Sequence, residues 1–374
     1  MTGIKRVLFV ATIDQHIIRF HLPYLKWFKE QGFEVHVASK GEFQIAFCDK
    51  KFNLPIERSP FSTKNLRAVK ALKEIIDVNK YSIVHCHTPM GSVVTRLAAR
   101  GSRKSGTKVL YTAHGFHFFK GAPLKNWLLY YPIEKLLAKY TDAIITINTE
   151  DFELLKSRKF KSKEFFRING IGVDNSKFKR ISEEEKITLR KSKGYNEDDF
   201  ILIYPAEFIH RKNHKFILDS VVQISSKIPQ LKIIFAGRGE LLEEMKKYTK
   251  DINLGKFVDI LGFRTDITEL IQLSDIGISS SKHEGLPINL VEEMFCGLPL
   301  VAAKERGNKD LIENGVNGFL FAQNNHTQFA DYIVKLYKNK VMRIDFGEHA
   351  FQKAQKFSLE NSLKSMADIY KQFV

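Results

Sequence analysis

Short apolar runs alternate with helix-period segments along the whole chain. Arg6–Ala11 predicts a buried strand, and Ile17–Gln31 predicts a helix stopped by Gly32. Phe33–Ser39, Ser82–His87, Val109–His114 and Ala143–Ile147 predict further buried strands. Helices are expected between them, around Asn65–Asn79, Ser92–Arg100 and Leu124–Lys139. Strands alternating with helices imply right-handed crossovers and a parallel, doubly wound sheet.

Polarity rises between Lys156 and Glu197, where a linker is expected, and then the pattern restarts. Phe200–Pro205, Leu231–Ala236, Val258–Leu261, Ile276–Ser279, Leu300–Ala303 and Phe319–Phe321 predict a second sheet. The 374 residues exceed what one core usually fills. The chain therefore reads as α/β, with two Rossmann-like domains at 1–183 and 184–355. A terminal helix over 356–374 is expected to pack back on the first. Two such halves facing each other would enclose a central cleft at the carboxyl ends of both strand sets, where open sheets bind ligands.

Composition changes the picture in two ways. Cys48, Cys86 and Cys296 are widely spaced and form no metal or disulfide pattern, which fits a reducing cytoplasm. The first apolar run stops at Asp14, as a buried strand would and a signal peptide would not, and no run is long enough to span a bilayer. Charge is uneven. Residues 1–185 hold 32 lysines and arginines against 18 acids, and the remainder 27 against 24. A basic first half points to an anionic membrane surface, and a lysine-rich composition without function is the plainer explanation. No nucleic-acid motif accompanies the charge, so no nucleic-acid partner is expected.

The stretch Ser279–Pro299 carries the most chemistry. A buried strand runs into a polar turn, and Gly285 permits close backbone approach. Pro287 stands where the first helical residue is expected, and Gly297 and Pro299 end the helix. A glycine turn followed by a helix N-terminus suits anionic oxygen, because free amides and the helix dipole point at it. Glu284 and Glu292 flank that site. Carboxylates there suit hydroxyls, whose hydrogen bonds they accept. Their neighbour Glu293 is expected to be solvated.

Glu284-x7-Glu292 in this setting resembles the signature of glycosyltransferase family 4, which has the GT-B fold and retains anomeric configuration. Asp275-Ile-Gly-Ile-Ser-Ser, Leu261-Gly-Phe-Arg-Thr-Asp266 and Asn308–Gly318 are similar to the same family. The resemblance implies that Glu292 binds the donor ribose and Glu284 sits at the transferred sugar. Amides following Gly285, through Leu286 and Pro287, would hold the diphosphate. Tyr111-Thr-Ala-His-Gly-Phe-His117 places His114 just after a buried strand, where the family often has a histidine close to sugar and acceptor. Tyr130-Tyr-Pro-Ile-Glu-Lys-Leu-Leu-Ala looks like the branch that builds capsule and exopolysaccharide units on lipid carriers. Ile203–Asn213 resembles the phosphate-binding loop, with Lys212 at the usual lysine. Glu207 replaces the usual arginine, so Arg211 is expected to supply the missing charge. Asp14, His16 and His117 are placed on the acceptor side, whereas His85 and His87 read as structural.

The expected activity is retaining transfer of a sugar from a nucleotide diphosphate, by resemblance a UDP-hexose or UDP-N-acetylhexosamine, to a lipid-linked saccharide. His114 and Glu284 are the expected catalytic residues. The chain has no Asp-x-Asp motif, so no cofactor and no essential metal are expected. The basic, aromatic segment Phe116–Tyr140 predicts a surface that lies on anionic lipid, and hence a cytoplasmic protein held at the inner face of the membrane. A nucleotide-sugar 2-epimerase of the same architecture, or a non-catalytic basic binding protein, are the alternatives.

Overall fold

The computed structural model describes residues 5–374. The chain divides into two compact units. Unit 1 runs to Ile171 and takes up the chain again at Glu360, and unit 2 comprises Gly172–Leu359.

Unit 1 holds seven strands, β1 (Arg6–Ile13), β2 (Glu34–Lys40), β3 (Lys50–Asn53), β4 (Ile83–His87), β5 (Lys108–Ala113), β6 (Ala143–Thr146) and β7 (Glu164–Arg167). They form one parallel sheet in the order β3-β2-β1-β4-β5-β6-β7. Unit 2 holds β8 (Phe200–Pro205), β9 (Leu231–Ala236), β10 (Val258–Gly262), β11 (Ile276–Ser279), β12 (Leu300–Ala303) and β13 (Gly318–Phe321). These are also parallel, in the order β10-β9-β8-β11-β12-β13. Each sheet reverses direction of strand addition once, between β1 and β4 and between β8 and β11. Crevices at such switch points, beyond the carboxyl ends of the strands, are where doubly wound sheets take ligands.

The central strands are apolar because both faces are covered. Val7–Ala11 and Ile201–Tyr204 have no exposed surface. The outer strands β3 and β7 are different. Their sequences Lys-Lys-Phe-Asn and Glu-Phe-Phe-Arg are exposed at both ends, so they carry none of the apolar signal that predicts the others. The predicted helix Ile17–Gln31 is two helices, Asp14–Phe20 and Leu22–Glu30. His21 between them is not helical, and Pro23 opens the second.

The division between units falls after Ile171, earlier than the predicted 183. Asp174–Arg180 already belongs to unit 2. Val173 bridges Ser358, and Arg180 binds Glu348 and the Gly347 carbonyl. The predicted linker is not loose chain, because Ser182 and Glu185 form a reciprocal capping box on the helix Glu183–Ser192. The last turn of the helix Leu359–Lys371 carries Tyr370, which is fully buried in unit 1 against Phe28 and donates to or accepts from His85 at 2.8 Å.

Candidate functional site

In unit 2 two loops meet beyond the switch point. One follows β8 and carries Arg211 and Lys212. The other follows β11 and carries Ser280–Glu284. Tyr204, fully buried on β8, donates to the Lys212 carbonyl and meets the Ser281 hydroxyl, each at 3.0 Å. Ser280 donates to the carbonyls of Lys212 and Asn213, and the Lys282 amide donates to the Arg211 carbonyl. Asn213 turns the chain with φ of 54°. The loops are thus fixed by backbone contacts, and their side chains converge.

Glu284 is the point of convergence. Lys212 Nζ lies 2.6 Å from its Oε1 and Arg211 Nη1 2.7 Å from its Oε2, and Ser281 Oγ donates to Oε1 at 2.6 Å. Burial alone would raise the carboxyl pKa. Lys212 and then Arg211 outweigh it and hold the group at about 2. Two cations on one carboxylate leave the cluster with a surplus positive charge. Arg306, itself buried, donates to the Glu284 carbonyl at 2.8 Å.

The following residues open the helix Ile288–Phe295. Pro287 is the residue before its first turn, not the first helical residue, and no side chain caps that turn. Gly307 packs so closely on the Gly285 carbonyl that a side chain there would collide with it. Cys296 and Gly297 (φ 78°) end the helix as predicted. Glu292 is half-buried on its second turn.

Glu293 is not solvated. It is fully buried, its Oε2 meets no hydrogen-bond partner, and only the Asn289 amide reaches Oε1, at 3.4 Å. Burial pushes its pKa well above the usual carboxylate range, which favours the neutral acid. Gly277 in β11 makes room for it, since a side chain there would strike the carboxyl. The hint available in sequence was a glycine inside an otherwise buried strand.

The turn Gly237-Arg238-Gly239 has a packing reason. Side chains at either glycine would strike the backbone of Ala206–Phe208, and the Phe208 amide donates to the Arg238 carbonyl at 3.0 Å. Glu207 is exposed there.

In unit 1 the switch point between β1 and β4 opens a cavity of about 390 Å³. Thr12, Ile13 and His16 line it from β1 and its helix, Thr88 and Met90 from β4 and its helix, and His117 and Tyr130 close it. Thr88 sits at φ 64° and accepts from the Thr12 amide at 3.1 Å. The strained position for a threonine is maintained by the packing around it. His117 stacks on Tyr130 with ring centroids 4.7 Å apart. His16 Nε2 and His114 Nε2 are 3.4 Å apart. The structure therefore brings His16, His117 and His114 to one end of the sheet.

Asp14 does not join them. It is fully buried and accepts from Ser39 at 2.6 Å and from the Phe43 amide at 3.0 Å, and Lys51 lies 2.9 Å away. Its carboxylate holds the Gly41–Phe43 turn instead of facing a ligand. His85 is structural, bound at both nitrogens by Tyr370 and Thr112. His87 and His21, the second of which the sequence did not single out, lie with His16 and His114 in one cluster.

Of the segment Phe116–Tyr140, the aromatic front is core: Phe116, Phe118 and Phe119 are buried. The surface lies on the helix Leu124–Ala138. Leu124, Leu128 and Leu136 are largely exposed, with Lys125, Lys135 and Lys139 exposed beside them. Among the described residues, no helix is long and apolar enough to cross a membrane.

The family described as glycosyl transferases group 1 matches residues 185–353, and the family described as glycosyl transferase 4-like matches residues 6–148. EpsD of Bacillus subtilis (strain 168), a protein named for glycosyltransfer, is 45% identical over 370 residues, covering 99% of this chain and 97% of EpsD. A UDP-Gal:alpha-D-GlcNAc-diphosphoundecaprenol alpha-1,3-galactosyltransferase of Escherichia coli is 27% identical over 82% of this chain and 79% of its own. Among solved structures, Anabaena HepE in complex with UDP superposes with a TM-score of 0.78 at 19% identity, covering 99% of this chain and 100% of HepE. The likeness to HepE extends over both Rossmann-like units and shows the GT-B fold.

Proposed function

The chain belongs to the group 1 glycosyltransferases, and from that premise we propose that it moves a hexose or N-acetylhexosamine from a UDP donor to a lipid-linked saccharide, with retention, during assembly of a surface polysaccharide. The observation that carries this reading is the Arg211–Glu284–Lys212 cluster at the unit 2 switch point. Its surplus positive charge sits beside a helix start with no side-chain cap, a combination suited to a diphosphate. The E. coli relative's name gives a UDP-sugar and an undecaprenol-linked acceptor, and HepE binds UDP, which supports the donor and acceptor classes.

In this reading Lys212, Arg211 and the amides from Gly285 through Leu286 to the start of the helix after Pro287 bind the diphosphate. They stabilise the charge that develops when the anomeric bond breaks. Glu292 accepts from the donor ribose, and Glu284 accepts from hydroxyls of the transferred sugar. Protein cations and amides fill the role a divalent ion would otherwise have, so we assign no metal to the transfer itself. The acceptor attacks on the face that the leaving group vacates and loses its proton to a donor phosphate oxygen. Of the unit 1 residues, we assign His114 to the sugar, and His16 and His117 to the acceptor. The exposed leucines and lysines of Leu124–Ala138 rest on anionic lipid at the cytoplasmic face, where a lipid-linked acceptor is presented.

The test is transfer from UDP-sugars to a diphosphoundecaprenol-linked acceptor, with and without EDTA. His114→Ala and Glu284→Ala should lose turnover while retaining the parent's circular dichroism. Turnover within about threefold of the parent would remove them from the chemistry. Glu292→Ala should chiefly weaken UDP binding, and an unchanged affinity would take it out of the site.

A further inference from the structure

Four imidazoles at the carboxyl end of the unit 1 sheet, His16, His21, His87 and His114, place one nitrogen each within 4.8 Å of the others. His114 Nε2 is 3.4 Å from both His16 Nε2 and His87 Nδ1. That spacing is long for a hydrogen bond. It is the separation of about 3.4 Å expected for two nitrogens bound about 2.05 Å from one tetrahedral ion. His21 is fully buried and neither of its ring nitrogens has a partner. Such bare polar groups are costly unless something occupies the space between them. His85, two residues before His87 on the same strand, is fully satisfied and stays outside the set.

We propose that His16, His87 and His114 bind a divalent transition-metal ion of the zinc, cobalt or nickel class, with His21 as a fourth donor. His21 stacks on His87 with centroids 3.7 Å apart, too close for both rings to point at one ion, so it joins only by rotating off that face. Imidazole is the ligand such ions favour over magnesium or calcium. Burial keeps all four histidines neutral at pH 7, with lone pairs available. An ion has a way in, because His16 lines the 390 Å³ cavity. Metal bound here removes the His114 imidazole from the transfer. This consequence for activity rests on the function proposed above, whereas the metal site does not.

The experiment uses the full chain stripped with chelator and titrated with Co²⁺. One ion per chain should bind with the intense visible absorption of a four-coordinate site. Zn²⁺ should displace it and raise the melting temperature. His16→Gln and His87→Gln should each weaken binding by more than about 100-fold, whereas the exposed His349→Gln should not change it. His16 is the less buried of the two, which guards against a variant that fails to fold. A six-coordinate, water-like spectrum, or binding that survives in His16→Gln, overturns the site. Stoichiometric Co²⁺ with undiminished sugar transfer would leave the site standing and exclude His114 from the chemistry.

Discussion

Glu284 and Glu293 are buried acids on either side of one helix start, and their surroundings drive them in opposite directions. Glu284 faces Lys212 and Arg211 and is held at about 2, so it is ionised throughout the range in which enzymes are assayed. The pH–rate profile of the parent should show no limb from it above about pH 4. Lys212→Met removes the larger cationic partner while burial persists. Its carboxyl should titrate higher, bringing an acid limb into the measured profile, and a profile unchanged in shape would reject the coupling. Glu293 is raised by burial, which the Asn289 hydrogen bond and the weaker pull of Lys212 do not offset. An acid raised on folding stabilises fully below its unfolded value of about 4.3 and loses that contribution as pH rises toward the folded value. Glu293→Gln stays neutral at every pH. Its stability relative to the parent should therefore climb between pH 5 and pH 8, measured by urea unfolding. Parallel curves would mean that the side chain is ionised in the fold.

Elements show why part of this arrangement is legible in sequence and part is not. The central strands β1, β4, β8 and β11 announce themselves because both faces are covered, and the switch-point loops follow directly from them. β3 and β7 lie at the sheet edges with exposed polar ends, so periodicity passes over them. Glu293 is expected in water because a charged residue in a helix normally faces it. Its burial depends on Gly277, on the preceding strand β11, which meets it only where the helix packs on the sheet. That pairing is testable by a double-mutant cycle. Gly277→Ala should destabilise by about 1–3 kcal/mol in the parent, because the new methyl meets the Glu293 carboxyl. In Glu293→Ala the same change should lose most of that cost, though Leu300 Cδ2, 2.8 Å from the new methyl, leaves a residue of it. Strict additivity would show that Gly277 is there for another reason. The helix Leu124–Ala138 supports an independent test. Leu124→Ser with Leu128→Ser should abolish flotation with phosphatidylglycerol liposomes at low salt without lowering the melting temperature, since both side chains are exposed. Equal flotation of parent and variant would move the membrane surface elsewhere.

Across the whole molecule, acid sensitivity should be unevenly shared. Burial keeps His16, His21, His85, His87 and His114 of unit 1 below the ordinary value, with His85 at about 3 and His114 at about 4. In unit 2 burial and then Lys212 lower His214, to about 3. A histidine depressed on folding has no effect where both states are neutral. Below its unfolded value of about 6.5 the unfolded chain takes up a proton that the folded chain refuses, so stability falls with falling pH. Each such group contributes a slope of up to about 1.4 kcal/mol per pH unit until its folded value is reached. Unit 1 carries this burden five times over, clustered where the rings touch, and protonating one makes the next harder to protonate. The carboxylates of unit 2 that are held low, Glu284 and Asp275 among them, release their stabilisation only under more acidic conditions. Acidification from pH 7 to pH 5 should therefore unfold unit 1 first. Hydrogen exchange read by mass spectrometry should show protection lost early in β1, β4 and β5 while β8 and β11 remain protected. Replacing His21 by Phe, which keeps a ring stacked on His87 without a proton to accept, should shallow the acid slope of unit 1 alone. Loss of protection in both units at the same pH, unaffected by that replacement, would place the origin of acid lability outside the histidine cluster.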